Sequence, residues 1–333
     1  MTILSIESSC DETAVAVTRD GRTILADEIF SQADIHALYG GVVPEIASRN
    51  HLKVIAKLAD AAIARAGIAK RDIDAVAATN APGLIGALLV GLNFAKGAAL
   101  SLGVPFIPVH HLRGHIAANY LAFPELAPPF LAVVVSGGNT IIAAVRDYTD
   151  IEIVGQTRDD AAGECFDKAA RAMGLGYPGG RALDDLSQSG DDTRYTLPRP
   201  VIDGAPLDMS FSGLKTAVVN AIHNAEQRGE TLDKPSLAAS LSRAVSDVIV
   251  PRTIAAARDY GLNAVAVAGG VAANSRVRRD LTNACRRAGL ALYLPPLSLC
   301  GDNAAMIGAQ AYYEYVAGNV GDMSTNAYAS RGI

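Results

Sequence analysis

Along this chain, short apolar runs alternate with longer stretches in which apolar positions recur at three and four. Residues 3–6, 14–17 and 23–30 read as strands, parted by the polar segment Glu7-Ser8-Ser9-Cys10-Asp11-Glu12-Thr13 and the turn Asp20-Gly21. From residue 44 to 66 the spacing of Ile46, Val54, Ile55, Leu58, Ala62 and Ile63 predicts a helix that Gly67 stops. Residues 73–78 predict a buried strand, 84–102 a Gly- and Ala-rich helix suited to close packing, and 104–109 another strand. Then the opening pattern returns, with strands at 130–135 and 141–145 flanking Ser136-Gly137-Gly138-Asn139-Thr140. The remainder predicts a helix from 161, a Gly/Pro-rich loop around Tyr177-Pro178-Gly179-Gly180, and helices near 213–228 and 237–260. A strand at 264–268, the turn Gly269-Gly270, a helix at 274–288 and a last helix from Asp302 to about 316 complete it.

Strands alternating with helices in both halves predict an α/β fold of two lobes, each opening on a hairpin, with a central cleft. The Pro-bearing stretch 123–129 sets the expected boundary, giving lobes 1–127 and 128–333. Half of the residues are apolar and 19% charged, which excludes a disordered chain. With 29 Lys+Arg against 34 Asp+Glu the formal charge is −5, so contact with nucleic acid would need a local patch or a partner. The only basic cluster is Arg276, Arg278, Arg279, Arg286 and Arg287, relieved by Asp280, and a solvated helix face is its default reading. Four scattered cysteines form no C-x-x-C pair, and no signal peptide opens the chain, so a reducing cytoplasm is expected. The uncharged stretches 75–95 and 126–145 are broken by Asn80-Ala81-Pro82-Gly83 and by Pro128-Pro129, leaving pieces too short for roughly 30 Å of hydrocarbon.

Chemistry concentrates in His110-His111-Leu112-Arg113-Gly114-His115, which holds three of the six histidines. His111 and His115 are four apart, so on a helix both imidazoles share one face and could take one divalent ion; helix capping or loop hydrogen bonds would use them equally well. Leu112 stands where a zincin carries its Glu, so a peptidase of that kind lacks its general base. Ser136-Gly137-Gly138 exposes backbone N–H groups that suit a phosphate or carboxylate, or else makes a plain hairpin turn. Ala268-Gly269-Gly270-Val271-Ala272-Ala273-Asn274 ends a strand in two glycines before a helix, where α/β proteins admit nucleotides, but it is neither a Rossmann nor a Walker sequence. Asp11 and Glu12 fall in the first hairpin turn. Asp159 and Asp160 read as caps at a helix start, Asp167 less readily because it lies a turn inside, and Asp302, Ser210 and Ser212 read as N-caps.

Taken together, Glu7–Thr13, Tyr39-Gly40-Gly41-Val42-Val43-Pro44-Glu45, the histidine motif, Val135-Ser136-Gly137-Gly138, residues 159–168, 177–180 and 210–216, Ala268–Asn274 and Asp302-Asn303 closely resemble the TsaD family of tRNA threonylcarbamoyladenosine transferases, once labelled O-sialoglycoprotein endopeptidases. The resemblance implies an actin-like, sugar-kinase-like (ASKHA) fold with the last helix (about 302–317) returning to the first lobe. It implies transfer of a threonylcarbamoyl group from threonylcarbamoyl-adenylate to N6 of adenosine 37 in tRNAs that read codons beginning with A. It implies His111, His115 and Asp302 as ligands of one divalent metal, Fe(2+) first and Zn(2+) second, and Val134, Val135, Ser136, Gly137, Gly138, Asp167, Gly180, Asp184 and Asn274 as adenylate-binding positions. It also implies a TsaB-like paralogue, a TsaE-like ATPase and a TsaC-like enzyme supplying the adenylate. Within that scheme Asp11, in the first hairpin turn, is the candidate base for the adenine amine. The chain departs from the family pattern at Asn139, where His is usual after Ser-Gly-Gly, at Ala81 where Gly is common, and in its last five residues. The competing readings are a small-molecule phosphotransferase on the same fold, the older metalloendopeptidase, and a non-catalytic nucleotide-binding scaffold.

Overall fold

A computed structural model describes all of residues 1–333. By their internal contacts the residues form two units: Met1–Pro128 with Arg146–Ile151 and Pro295–Ile333, and Pro129–Val145 with Glu152–Leu294.

The first unit is built on a five-stranded sheet, with strands β1 (Thr2–Glu7), β2 (Glu12–Arg19), β3 (Thr23–Ser31), β4 (Ala75–Ala81) and β5 (Phe106–His110) in the order β3-β2-β1-β4-β5. β1, β2 and β3 are antiparallel neighbours, whereas β4 runs parallel to both β1 and β5. Helices cover both faces, which is why β1 and β4 are buried at every position, without alternation. Between β3 and β4 come α1 (Ala33–Ala37) and α2 (Pro44–Arg65), and α3 (Ile85–Leu102) follows β4. Leu88, Leu92, Ala95 and Ala99 of α3 join Ile55, Ala59 and Ala62 of α2 over Leu4, Ile6, Val15 and Val17. By length and composition α3 would be apolar enough to cross a membrane; these residues instead enter the core of the unit. Gly91 is what lets α3 approach so closely, since a Cβ there would lie 2.3 Å from Ser8 Oγ. On the opposite face α4 (His111–Ala122) and α10 (Ala304–Val316) pack Met306 and Ile307 on Ile3, Ile107 and Val109.

The second unit repeats the strand order. β6 (Phe130–Val135) and β7 (Thr140–Val145) form the hairpin, β8 (Ile151–Gln156) flanks β7, and β9 (Ala264–Ala268) and β10 (Ala291–Tyr293) follow in parallel on the other side of β6. Its helices are α5 (Ala162–Ala172), α6 (Gly179–Ser187), α7 (Ser212–Arg228), α8 (Lys234–Asp259) and α9 (Ser275–Ala288). The duplication expected from two small-residue hairpin turns is therefore a duplication of sheet topology. The structure differs from the sequence reading at short elements. The expected loop around Tyr177–Gly180 continues directly into α6, and α1, β8 and β10 were not anticipated. α6 opens on two glycines after a proline, which hides a helix from any propensity argument.

Candidate active site

β1 carries its buried pattern one residue past the expected end. Glu7 is thus the last strand residue rather than the first of a polar turn, and it is completely buried. Two strands along the sheet, beyond β4, β5 ends at His110, whose side chain accepts the Leu112 N–H and caps α4. His111 and His115 then occupy the first turn of α4 and the turn above it, both buried on one face, their rings edge to face at 4.6 Å. The third group comes from the loop before α10. Asp302 was expected to cap that helix, but Asn303 does so, accepting the Met306 N–H at 2.9 Å. Asp302 is free to point elsewhere, and its Oδ1 lies 3.5 Å from His111 Nε2 and 3.2 Å from His115 Nε2.

The back of His111 is held as firmly. Its Nδ1 is 3.0 Å from Glu7 Oε2 and 3.3 Å from Ser9 Oγ, while Glu7 also accepts the Ser9 N–H and the Thr79 hydroxyl, each at 2.5 Å. Burial alone would raise the Glu7 carboxyl, but the charge of His111 and its hydrogen bond hold it below its ordinary value. Burial would lower His111, yet Glu7 and then Asp302 push it up to about 9. Asp302 is held well below the usual carboxylate range, because the charge of His111 and the closeness of His115 overcome burial. The pocket is thus one in which two carboxylates require a cation.

His115 shows what kind. It is completely buried, its Nδ1 has no hydrogen-bond partner, and its Nε2 faces the Asp302 carboxylate at 3.2 Å, a costly state for an imidazole unless something else takes a lone pair. Two ligand atoms about 2.1 Å from a divalent ion lie about 3.0–3.4 Å apart at octahedral or tetrahedral angles. The spacings of 3.2 and 3.5 Å about Asp302 lie close to that requirement, and all three ligand atoms are gathered within 4.8 Å of one another. Two imidazoles and a carboxylate, with Glu7 orienting His111 from behind, could hold one divalent metal and leave positions open for substrate oxygens. Glu7 is the member of this buried cluster that the sequence reading passed over. Its signal was a single charge closing an otherwise apolar strand.

Asp11 lies in the turn between β1 and β2 and is buried; its carbonyl accepts the Gln32 N–H at 3.1 Å. Its side chain hydrogen-bonds to Glu12, which burial and then the charges of Asp11 and Asp302 push up to about 9, so Glu12 keeps its proton at neutral pH.

The positions expected from the resemblance to bind the adenylate all fall in the second unit. Val134 and Val135 end β6, and Ser136 closes the turn on itself: its N–H donates to the Asn139 carbonyl at 2.8 Å, and its Oγ accepts the Asn139 N–H at 3.1 Å. Gly137 and Gly138 are exposed and nothing crowds them, so their amides stay open. Gly163 and Gly269 seat the turn, since a Cβ on either would come within 2.5 Å of a carbonyl oxygen, Ser136 for the first and Val135 for the second. Asp167, a full turn inside α5, accepts the Gly179 and Gly180 N–H groups at 2.9 and 3.2 Å and so fixes the start of α6. Asp184 grips Ser275 through both carboxylate oxygens, and Asn274 caps α9 by accepting the Val277 N–H at 3.0 Å. Asp159, expected to cap the nearby helix, instead accepts the Phe211 and Ser212 N–H groups and both serine hydroxyls at the start of α7. In the basic cluster Arg276 is ion-paired with Asp192 and Asp280, in keeping with a solvated helix face.

Solved structures define the class. The chain is similar to Acidaminococcus fermentans (R)-2-hydroxyglutaryl-CoA dehydratase component A, with a TM-score of 0.56 and 18% identity over 95% of this chain and 99% of that one. It is also similar to T. kodakarensis HypF, with a TM-score of 0.62 and 14% identity over 96% of this chain and 48% of that one. The fold is therefore the expected actin-like, ASKHA-type α/β fold. Residues 23–309 match the model of the TsaD family, tRNA N6-adenosine threonylcarbamoyltransferase, and the chain belongs to that family. Relatives bearing that enzyme name include one from Clostridium botulinum (strain Kyoto / Type A2), 49% identical over 98% of this chain and 96% of its own length. Another, from Moorella thermoacetica, is 50% identical over 98% of this chain and 95% of its own.

Proposed function

We propose that this chain transfers a threonylcarbamoyl group from threonylcarbamoyl-adenylate to N6 of adenosine 37 in tRNAs that read codons beginning with A. The observation that carries the reading is the buried His111–His115–Asp302 group in a chain about half identical, over nearly its whole length, to enzymes of this name. The two units serve as the two lobes, with His111, His115 and Asp302 on the first and Val134–Gly138, Asp167, Gly180, Asp184 and Asn274 on the second.

A divalent metal, Fe(2+) in the first instance and Zn(2+) in the second, would supply Lewis-acid stabilisation of negative charge on substrate oxygens. His111 and His115 would offer it neutral Nε2 atoms, Glu7 fixing the His111 tautomer by accepting from Nδ1. Open backbone N–H groups at Gly137 and Gly138 would steady the phosphoryl oxygens, and Asp167 would keep the Gly180 end of α6 in place for the nucleoside. In the transfer, the N6 amine attacks the carbamoyl carbon, a C–N bond forms, and the C–O bond to phosphate breaks with AMP as leaving group. The amine proton passes to Asp11, with protonated Glu12 beside it unable to compete. TsaB-like and TsaE-like proteins would complete the assembly, a TsaC-like enzyme would make the adenylate, and the reaction would take place in the cytoplasm.

Nucleoside mass spectrometry on unmodified tRNA, incubated with the chain, these partners and threonylcarbamoyl-adenylate, tests the reading. Threonylcarbamoyladenosine should form with the wild type and fail with His111→Ala/His115→Ala. Equal product from the double variant would remove the metal from the reaction, and no product from any form would remove the assignment.

A further inference from the structure

Resting on that reading, we propose that Tyr39 is the stacking platform for the acceptor adenine, a substrate-positioning residue that presents the base edge to Asp11. Tyr39 is 61% exposed, more than any other aromatic side chain of the protein, and Leu38 beside it is 83% exposed. The turn that carries them is well tied. The N–H groups of Tyr39 and Gly41 donate to the His36 carbonyl at 3.0 and 3.2 Å, and Gly40 N–H donates to Ala37 at 3.1 Å. Gly40 and Gly41 have φ of +70° and +153°, which L side chains rarely adopt. His36, completely buried, accepts the Val43 N–H on Nδ1 at 3.2 Å and closes the turn. Two glycines and a buried histidine thus hold an aromatic ring out in solvent, against the usual preference for covering it.

The same frame reaches the carboxylates. His36 N–H donates to the Gln32 carbonyl at 3.0 Å, and Gln32 N–H donates to the Asp11 carbonyl at 3.1 Å. Gln32 is itself fully buried, donating through Nε2 to the Ala47 carbonyl and accepting from Asn50. Ser31 Oγ donates to Glu12 at 2.9 Å. The backbone of the proposed base is therefore tied to Gln32, and the turn to His36, by successive hydrogen bonds, and Tyr39 lies seven residues, about two helical turns, beyond Gln32. Between residues 31 and 43 there is no Lys or Arg, so the turn offers no grip on phosphate. What it offers is a flat apolar face, and an unpaired purine in an RNA loop is recognised by stacking on such a ring with its amine edge left free to react.

The chain contains no tryptophan, so Tyr39→Trp gives it one emitter, at the platform, read against a complex in which the partner proteins carry no tryptophan. In the full complex, its emission should be quenched by a synthetic anticodon stem–loop RNA with adenine at position 37, and not by the same RNA abasic at that position. Tyr39→Phe and Tyr39→Trp should keep kcat/KM for tRNA, whereas Tyr39→Ala should lose about tenfold or more, as expected for one base–aromatic stack, with the KM for the adenylate unmoved. Equal quenching by the abasic RNA, or an unchanged kcat/KM in Tyr39→Ala, would overturn the proposal. So would loss of partner subunits from Tyr39→Ala on size exclusion, which would make the turn a protein contact. Failure of the wild type to modify tRNA would instead overturn the functional reading itself.

Discussion

Replacing Glu7 with glutamine changes one oxygen to an amide nitrogen in a pocket where each lone pair is spoken for. Glu7 Oε1 accepts the Ser9 N–H at 2.5 Å, so a glutamine keeps its carbonyl there and turns its NH2 toward His111 Nδ1, where Oε2 now lies at 3.0 Å. An amide nitrogen only donates, so Nδ1 must accept and the imidazole proton moves to Nε2. Nε2 is the nitrogen 3.5 Å from Asp302 Oδ1, and once protonated it has no lone pair for an ion. Loss of an outer partner to a metal-bound histidine costs about 10–100-fold in affinity, or about 1.4–2.7 kcal/mol. The forced tautomer places Glu7→Gln at the upper end. Wild type, Glu7→Gln and His115→Ala, stripped with a chelator, would be titrated with Co(2+) against a competing dye, with circular dichroism confirming that each is folded. If Glu7→Gln binds as tightly as the wild type while His115→Ala does not bind, the tautomer argument is wrong.

In the ion-free protein, His111 is buried yet held at about 9 by Glu7 and Asp302, so at neutral pH a proton must leave before Nε2 can bind. Apparent metal affinity should therefore rise about tenfold per pH unit above neutrality and flatten beyond pH about 9; an affinity flat across that range would contradict it. Burial pushes Asp27 up to about 6 even though the Ala304 and Ala305 N–H groups favour its charge. The folded state then binds that proton more tightly than the unfolded chain, so stability falls as pH rises from about 4 to about 6, by at most on the order of 3 kcal/mol. Urea midpoints on either side of that window should show the fall in the wild type and not in Asp27→Asn. A methyl on Gly163 would meet Ser136 O at 2.5 Å, so Gly163→Ala should cost about 1–3 kcal/mol in thermal melts and weaken AMP binding, whereas the uncrowded Gly137→Ala should melt as the wild type.

Long periodic elements were legible in the chain because their patterns are set by burial on one or two faces. The 44–66 and 274–288 helices and the repeated small-residue hairpin all form, within a residue or two. What could not be read were the short elements, which bury at most one residue each and so leave no period, and α6, whose Gly-Gly start argues against a helix until Asp167 supplies a carboxylate to its first amides. At the centre, the His111/His115 spacing is a local signal and was visible. Asp302 was assigned to the metal by the resemblance alone; its local pattern reads as a cap, because Asp and Asn are equally good N-caps and nothing local says which of two neighbours takes the post. Glu7 depends on two strands and a helix meeting, as Thr79 and His111 reach it from more than seventy residues away.

That ambiguity between neighbours gives a direct test of the centre. The double substitution Asp302→Asn/Asn303→Asp leaves composition and net charge unchanged and keeps a good cap on α10, since a carboxylate accepts the Met306 N–H as readily as the Asn303 amide oxygen does at 2.9 Å. The Asn303 Nδ2 that donates to the Gly301 carbonyl at 2.9 Å becomes a carboxylate oxygen, setting two acceptors face to face at a fully buried position, a cost of about 1–3 kcal/mol. The fold should therefore survive with a lower melting temperature. The charge between the two histidines does not survive, because residue 303 points into the helix end and not at His111 and His115. Metal affinity should fall roughly a hundredfold or more, a larger loss than the removal of an outer partner brings. If the exchanged protein bound Co(2+) like the wild type, Asp302 would be a bystander and the centre would have to be rebuilt around Glu7.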